Sequence, residues 1–233
     1  MRKRFFAALG MLMVVASLLS SVSVHASDGK GRKKVAVVLS GGGAKGMAHI
    51  GALRVIEKAG IPIDIITGTS MGSIVGGLYA IGYDAHRLDS MVRVQDWSFL
   101  LTDKLEAHSP LLDNRERQNT YFLTKTLTLS KNKITNKPGG MIEGRNLDKL
   151  FNRLTAGYRD SIDFNNLPIP FACVATNIVD NSEYVMHSGF LSEAMRSSMA
   201  IPGVFSPVRK DSMVLVDGGL RNNFPVGRWA PTW

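Results

Sequence analysis

Residues 65–72 read Ile-Ile-Thr-Gly-Thr-Ser-Met-Gly, an apolar run that ends in the pentapeptide Gly68-Thr69-Ser70-Met71-Gly72. As strand, tight turn and helix start, the stretch sets the Ser70 hydroxyl at the apex of a strained turn. Gly68 and Gly72, without Cβ atoms, leave room for the backbones to approach. A serine so placed is a candidate nucleophile. The same pentapeptide also serves as a plain Gly/Ser turn with no chemistry, so its meaning rests on what the rest of the chain brings to it.

Upstream, Lys34–Leu39 (KVAVVL) is a β-branched run suited to a central parallel strand, and it leads straight into Ser40-Gly41-Gly42-Gly43-Ala44-Lys45-Gly46. In the following MAHIGALRVIEKAG, Met47, Ile50, Leu53, Ile56 and the Val55/Ala59 pair recur at helical spacing, and Gly60 and Pro62 stop the helix. Ile63–Thr67 is predicted as the second strand. Met71–Ile81 is predicted as the second helix, with Ile74, Val75, Leu78 and Ile81 on its buried side. Strand, glycine loop, helix, strand, serine turn, helix is an α/β pattern. It puts both loops at the carboxyl ends of parallel strands, where open α/β sheets bind ligands.

Downstream, Asp84–Val94 reads as an amphipathic helix, and Trp97, Phe99, Leu100 and Leu101 as an apolar cluster assigned to the core in preference to an acyl channel. Residues 119–129 alternate in part like a strand, and the polar SKNKITNKPGG after them reads as a hairpin or loop. Glu143–Leu154 is predicted as a helix. Phe171–Ile178 and Glu183–Met186 are predicted as strands about a Val179–Ser182 turn, and Phe190–Ser198 as a helix stopped by Ile201-Pro202-Gly203. Met213–Val216 is a last strand. It ends in Asp217-Gly218-Gly219, whose glycines turn the chain sharply and fix Asp217 at the same sheet edge as Ser70.

The 233 residues are 45% hydrophobic and 20% charged, which suits one α/β domain with a real core and excludes disordered and collagen-like classes. Arg2, Lys3 and Arg4, the apolar run Phe5–Leu19 and the small residues around Val24-His25-Ala26 mark Met1–Ala26 as a secretory signal peptide, its apolar run too short to span a bilayer. Residues 27–33 read as a basic linker and 34–233 as the folded domain. Without Met1–Ala26 the net charge is +6, 25 basic less 19 acidic residues, an excess that suits anionic lipid headgroups or nucleic acid and is more often only a solvated surface; a membrane surface and no nucleic acid are the expected partners. The single cysteine, Cys173, forms no internal disulfide and sits in a strand-like FACVAT run.

A serine nucleophile needs a base and preorganised donors for the oxyanion. The N–H groups of Gly41, Gly42 and Gly43, backed by the positive end of the following helix, and the N–H of Met71 supply those donors. The base is a carboxylate. No histidine follows Asp217 along the chain, and His49, His86, His108 and His187 sit in helix, loop or strand-end contexts, so Ser70 and Asp217 make a candidate dyad. The glycine loop also satisfies a dinucleotide GxGxxG, but Asp64 begins the second strand, at the wrong edge for a ribose. A P-loop is excluded because no Lys-Ser or Lys-Thr pair closes the loop. No spacing suggests a metal, and the chemistry requires no cofactor.

The blocks VVLSGGGAKGMAHIGAL, GTSMG, RSSMAIPGVFSPV and DGGLRNNFP, in that order, resemble the bacterial patatin-like phospholipases. The resemblance implies a three-layer α/β/α sandwich with a mainly parallel central sheet, and hydrolysis of acyl esters in phospholipids or lysophospholipids at a membrane surface. Carried over residue by residue, Ser70 is the nucleophile, Asp217 the base, and Gly41, Gly42 and Gly43 the oxyanion loop. Lys45, ahead of Gly46, stands where members carry Arg or Lys, to hold the loop or attract a phosphate. Asn223 and Pro225 match residues that follow the Gly218-Gly219 turn. The domain is also similar to the secreted passengers of autotransporters. After Val226 the chain departs from the pattern, and GRWAPTW reads as a truncated or frame-shifted end. An acyltransferase with the same dyad and a non-catalytic lipid-binding module are the alternatives.

Overall fold

The computed structural model describes residues 32–103, 127–130, 133–136 and 142–227. The segment read as a signal peptide, His108, most of the 119–129 run and the last six residues lie outside them. Residues from Val35 onward belong to one unit, which holds every element below.

The β-branched run makes β1 (Ala36–Leu39), and the next apolar run makes β2 (Ile65–Thr69), two residues later than its composition suggests. Asp64 fixes that start. Its amide donates to Val35 C=O at 2.9 Å and its carboxylate accepts from Val35 N–H at 2.7 Å, at the edge of the sheet away from Ser70. Between the strands, Gly43–Met47 forms a 3-10 turn before α1 (Ala48–Lys58). Ile50 and Leu53 are its buried face. Val55, expected on that face, is 66% exposed, because two residues past Leu53 is the opposite side of a helix.

Then come α2 (Met71–Ala80), α3 (Ala85–Val94) and α4 (Trp97–Leu100). Asp84 and Asp96 cap the last two, accepting from the N–H groups of Arg87 at 2.7 Å and Phe99 at 3.0 Å. Of the expected apolar cluster, Leu100 is buried, Trp97 and Phe99 pack against the core, and Leu101 is exposed. Strands β3 (Leu127–Ser130) and β4 (Lys133–Asn136) form the anticipated hairpin. Helix α5 (Arg145–Leu154) starts two residues late. Gly144 takes a left-handed φ of 84° at its N-cap, and the Asp103 carboxylate accepts from the N–H groups of Glu143, Gly144 and Arg145.

The remaining elements are β5 (Ile162–Asp163), β6 (Phe171–Asn177), β7 (Ser182–Met186), β8 (Ser188–Gly189, paired with β5), α6 (Leu191–Ser198), β9 (Val208–Lys210) and β10 (Met213–Asp217). The main sheet runs β1-β2-β6-β10-β9, with β7 also on β6. Strands β1, β2 and β6 are parallel; β7, β10 and β9 join antiparallel. All seven residues of β6 are buried. Helix α2 packs on β1, β2 and β6, and α6 on β6 and β10, so Ile66, Val75, Phe171, Leu191, Met195 and Leu215 share one core. The α/β sandwich expected from the sequence is therefore present, as a mixed sheet.

The register decides how the site is built. Strands β7 and β10 both pair with Ala175–Asn177, so they lie on opposite edges of β6. Strands β7 and β2 both pair with Cys173 and Val174, so they too lie on opposite edges. It follows that β2 and β10 share one edge and meet end to end. Thr69 stands opposite Val174, and Asp217 opposite Ala175.

Candidate active site

At the end of β2 the chain breaks out of the sheet. Ser70 has φ 54° and ψ −122°, a left-handed conformation that costs a non-glycine residue about 1–3 kcal/mol. The surroundings hold it there. Its C=O accepts from Ser73 N–H at 2.9 Å and from Ser73 Oγ at 2.7 Å, and its N–H donates to Ser198 Oγ at 2.9 Å. The flanking glycines are required by contact: a Cβ on Gly72 would fall on the Leu39 carbonyl, and one on Gly68 on the Gly72 carbonyl. Gly72→Ala is expected to destabilise by about 3 kcal/mol, since β1 and α2 must separate. Gly51→Ala, on an exposed helix face where the new Cβ meets nothing, is expected to stabilise by up to about 1 kcal/mol. Thermal melts of the pair, moving in opposite directions, check this.

Ser70 Oγ donates to Asp217 Oδ2 at 2.6 Å, and Gly219 N–H donates to Oδ1 at 2.7 Å. Both residues are buried, Ser70 at 5% and Asp217 at 8% exposure. The Asp217 backbone is tied as well, its N–H to Ala200 C=O at 2.9 Å and its C=O to Thr176 Oγ1 at 3.0 Å. Burial pushes the carboxyl pKa above the ordinary carboxylate range, against the pull of the hydrogen bonds from Ser70 and Gly219. Gly218 makes the turn possible, because a Cβ there would overlap the Val174 carbonyl.

Among the described residues no histidine bonds either member of this pair. His49 Nε2 reaches Ser40 C=O at 2.8 Å, and His86 is exposed. His187 follows β7, its pKa lowered by burial. Cys173 is fully buried in β6, where burial pushes its thiol pKa far up, so it is no nucleophile.

The glycine loop closes over Ser70. A Cβ on Gly41 would lie 3.0 Å from Ser70 Cβ and 2.5 Å from Asn223 Oδ1. The Gly41 N–H, expected among the oxyanion donors, instead donates to Asn223 C=O at 3.2 Å, and Asn223 Nδ2 returns a bond to Gly41 C=O at 3.4 Å. Gly41 thus supplies space, and Asn223 laces the glycine loop to the segment after Asp217. No backbone carbonyl of the described residues takes the N–H groups of Gly42, Gly43 or Met71. Gly43 has φ 52°, and Gly46 packs on Met71, where a Cβ would come within 2.6 Å of its side chain. The helix expected behind the loop begins at Ala48, one residue past Met47, and the loop itself winds into the 3-10 turn, where the exposed Lys45 donates its N–H to Gly42 C=O at 3.1 Å.

The structure therefore gathers Ser70, Asp217, Gly41, Gly68, Gly72, Gly218, Gly219 and Asn223 at one point. Two residues gained no role from the sequence. Ser198 holds the Ser70 amide. Arg196, also buried, donates to the carbonyls of Glu143 at 2.6 Å and Ser206 at 3.1 Å and pairs with Asp148 at 3.3 Å, joining α6 to α5. Both lie in the RSSMAIPG stretch, whose only signal was its resemblance to a family block.

Residues 37–228 match the Patatin family, described as patatin-like phospholipase, and the chain belongs to it. It is similar to patatin-like phospholipase domain-containing protein 6 of Mus musculus, 34% identical over 193 residues that make up 82% of this chain and 12% of that protein. It is also similar to lysophospholipase NTE1 of Saccharomyces cerevisiae, 30% identical over 192 residues, 82% of this chain and 10% of that one. The chain thus spans a small part of either relative's length. Among solved structures, VipD from Legionella pneumophila shares the fold with a TM-score of 0.52 at 16% identity, over 84% of this chain and 47% of that chain.

Proposed function

We propose that the chain is an exported serine lipid acyl hydrolase whose substrates are phospholipids or lysophospholipids. The observation that carries this reading is the buried hydrogen bond of 2.6 Å between Ser70 Oγ and Asp217 Oδ2. As Oγ attacks an ester carbonyl, its proton passes to Oδ2, and the oxyanion is met by the N–H groups of Gly42, Gly43 and Met71. Collapse breaks the ester C–O bond, and Asp217 returns the proton to the leaving alcohol. A water then gives a proton to Asp217 as it attacks the acyl-serine; collapse breaks the Oγ–acyl bond, Asp217 returns that proton to Oγ, and the fatty acid leaves with Ser70 restored. The patatin-like family and the name lysophospholipase among the relatives support the substrate class. The exposed Lys45 beside the loop offers charge to a headgroup phosphate. Residues 1–26 would carry the enzyme to the periplasm, the outer membrane or the medium.

The test is to incubate the protein with a fluorophosphonate and map the adduct by mass spectrometry. Attack by Oγ forms an O–P bond and expels fluoride, so the adduct is expected on Ser70, alongside free fatty acid released from a phospholipid and lysophospholipid panel. An unlabelled protein that still binds lipid would replace this reading with that of a binding module.

A further inference from the structure

The ladder between β2 and β6 stops one rung early. In a parallel pair, amides two residues apart on one strand bond carbonyls two apart on the other. Ile66 N–H donates to Pro170 C=O at 2.9 Å. With the register running from Ile66–Phe171 to Thr69–Val174, the following rungs are Gly68 N–H to Ala172 C=O and then Ser70 N–H to Val174 C=O. The Ser198 hydroxyl stands in that last rung. It accepts from Ser70 N–H at 2.9 Å and donates to Val174 C=O at 2.6 Å. Ser198 is the final residue of α6 and fully buried.

We propose that Ser198 is a positioning residue for the nucleophile: its hydroxyl, inserted into the open rung, holds Ser70 outside the ladder and aims Oγ at Asp217. This rests on the reading of Ser70 as nucleophile. A direct rung would draw the Ser70 amide to about 2.9 Å from the Val174 carbonyl. That would extend β2 by one residue and remove the left-handed φ that lifts the side chain. The hydroxyl bridge keeps the two groups apart while leaving neither buried amide nor buried carbonyl unsatisfied. The same carbonyl lies under Gly218, next to Asp217. One hydroxyl therefore sets the spacing of the serine turn against the carbonyl on which the acid turn rests.

The test compares S198A and S198G, reading kcat and KM on a soluble ester, the rate of fluorophosphonate acylation at Ser70, and the melting temperature. In S198A the hydroxyl is gone and the methyl blocks water. The acylation rate and kcat are expected to fall about 30- to 100-fold, as for a reacting group misplaced by about 1 Å, with KM changed less than about threefold. In S198G a water fits between the amide and the carbonyl, and activity is expected to recover to within about fivefold of wild type, although glycine gives the less stable helix end and the lower melting temperature. A purely structural role would rank the two the other way. S198A as active as wild type, or S198G below S198A, overturns the proposal. If S198A does not fold, S198T and its isostere S198V replace the pair: threonine active and valine not supports the proposal, and equal activity overturns it. Wild type unlabelled at Ser70 would sink the nucleophile reading instead, a result distinct from either.

Discussion

Ser70→Ala is expected to lose ester hydrolysis by at least about 10⁴-fold and to take no fluorophosphonate, because among the described residues no other side-chain hydroxyl donates to the Asp217 carboxylate. The fold should survive. Alanine keeps the backbone bonds that Ser70 makes to Ser198 and Ser73. It also keeps the strain, since the φ of 54° is as unfavourable for alanine as for serine. Ser70→Gly removes both the hydroxyl and the strain, so it should be equally dead yet melt above Ser70→Ala by the equivalent of about 1 kcal/mol. Two inactive proteins separated in stability by one methyl group would show that the turn is held in tension. Activity remaining in either places the nucleophile elsewhere.

Asp217→Asn is expected to lower kcat by about 10²- to 10⁴-fold, the usual value of a general base, with little change in KM. In the wild type, hydrolysis needs the ionised carboxylate. Burial raises its pKa, so the acid limb of the pH–rate profile should lie above the ordinary carboxylate range. The same shift acts on stability with a definite sign. A carboxyl whose folded pKa exceeds its unfolded value leaves the native state holding more protons between the two. Its contribution is most favourable below the unfolded pKa and is lost as pH rises through the folded one. Asparagine never ionises, so Asp217→Asn should melt higher than wild type at neutral pH, the gain fading as pH falls below the ordinary carboxylate value. Melts and rates recorded on the same samples across that range check both signs. Ester hydrolysis within tenfold of wild type would move the base to another residue.

The turns of the candidate site were legible because they are local. A serine between two glycines after an apolar run, a glycine loop after another, and an aspartate before Gly-Gly each declare a turn, and the structure brings the Ser70 and Asp217 turns within hydrogen-bond distance. Direction was not legible. Met213–Val216 presents the same four apolar side chains whether its strand runs with β6 or against it, and only the pairing with Ala175–Asn177 makes it antiparallel. Nor is the three-residue β9 visible without its partner, since Val208–Lys210 has no period of its own. The Gly41 amide could not be seen as spent, because Asn223 lies 182 residues away. Ser198 was hidden for the same reason: its hydroxyl acts on an amide 128 residues distant, and a serine ending a helix reads as an ordinary helix end.

The end-to-end meeting of β2 and β10 makes β6 a gauge block. Serine and acid lie 147 residues apart in sequence, yet Thr69, just before Ser70, and Asp217 itself end strands laid against the same edge, these two strand ends standing opposite Val174 and Ala175. Their separation is therefore calibrated by a single residue step of β6, about 3.3 Å. The β3–β4 hairpin, which forms a sheet of its own and takes no part in this ladder, is expected to tolerate a change of length without touching the calibration. One residue inserted into β6 at this point would throw it out at once.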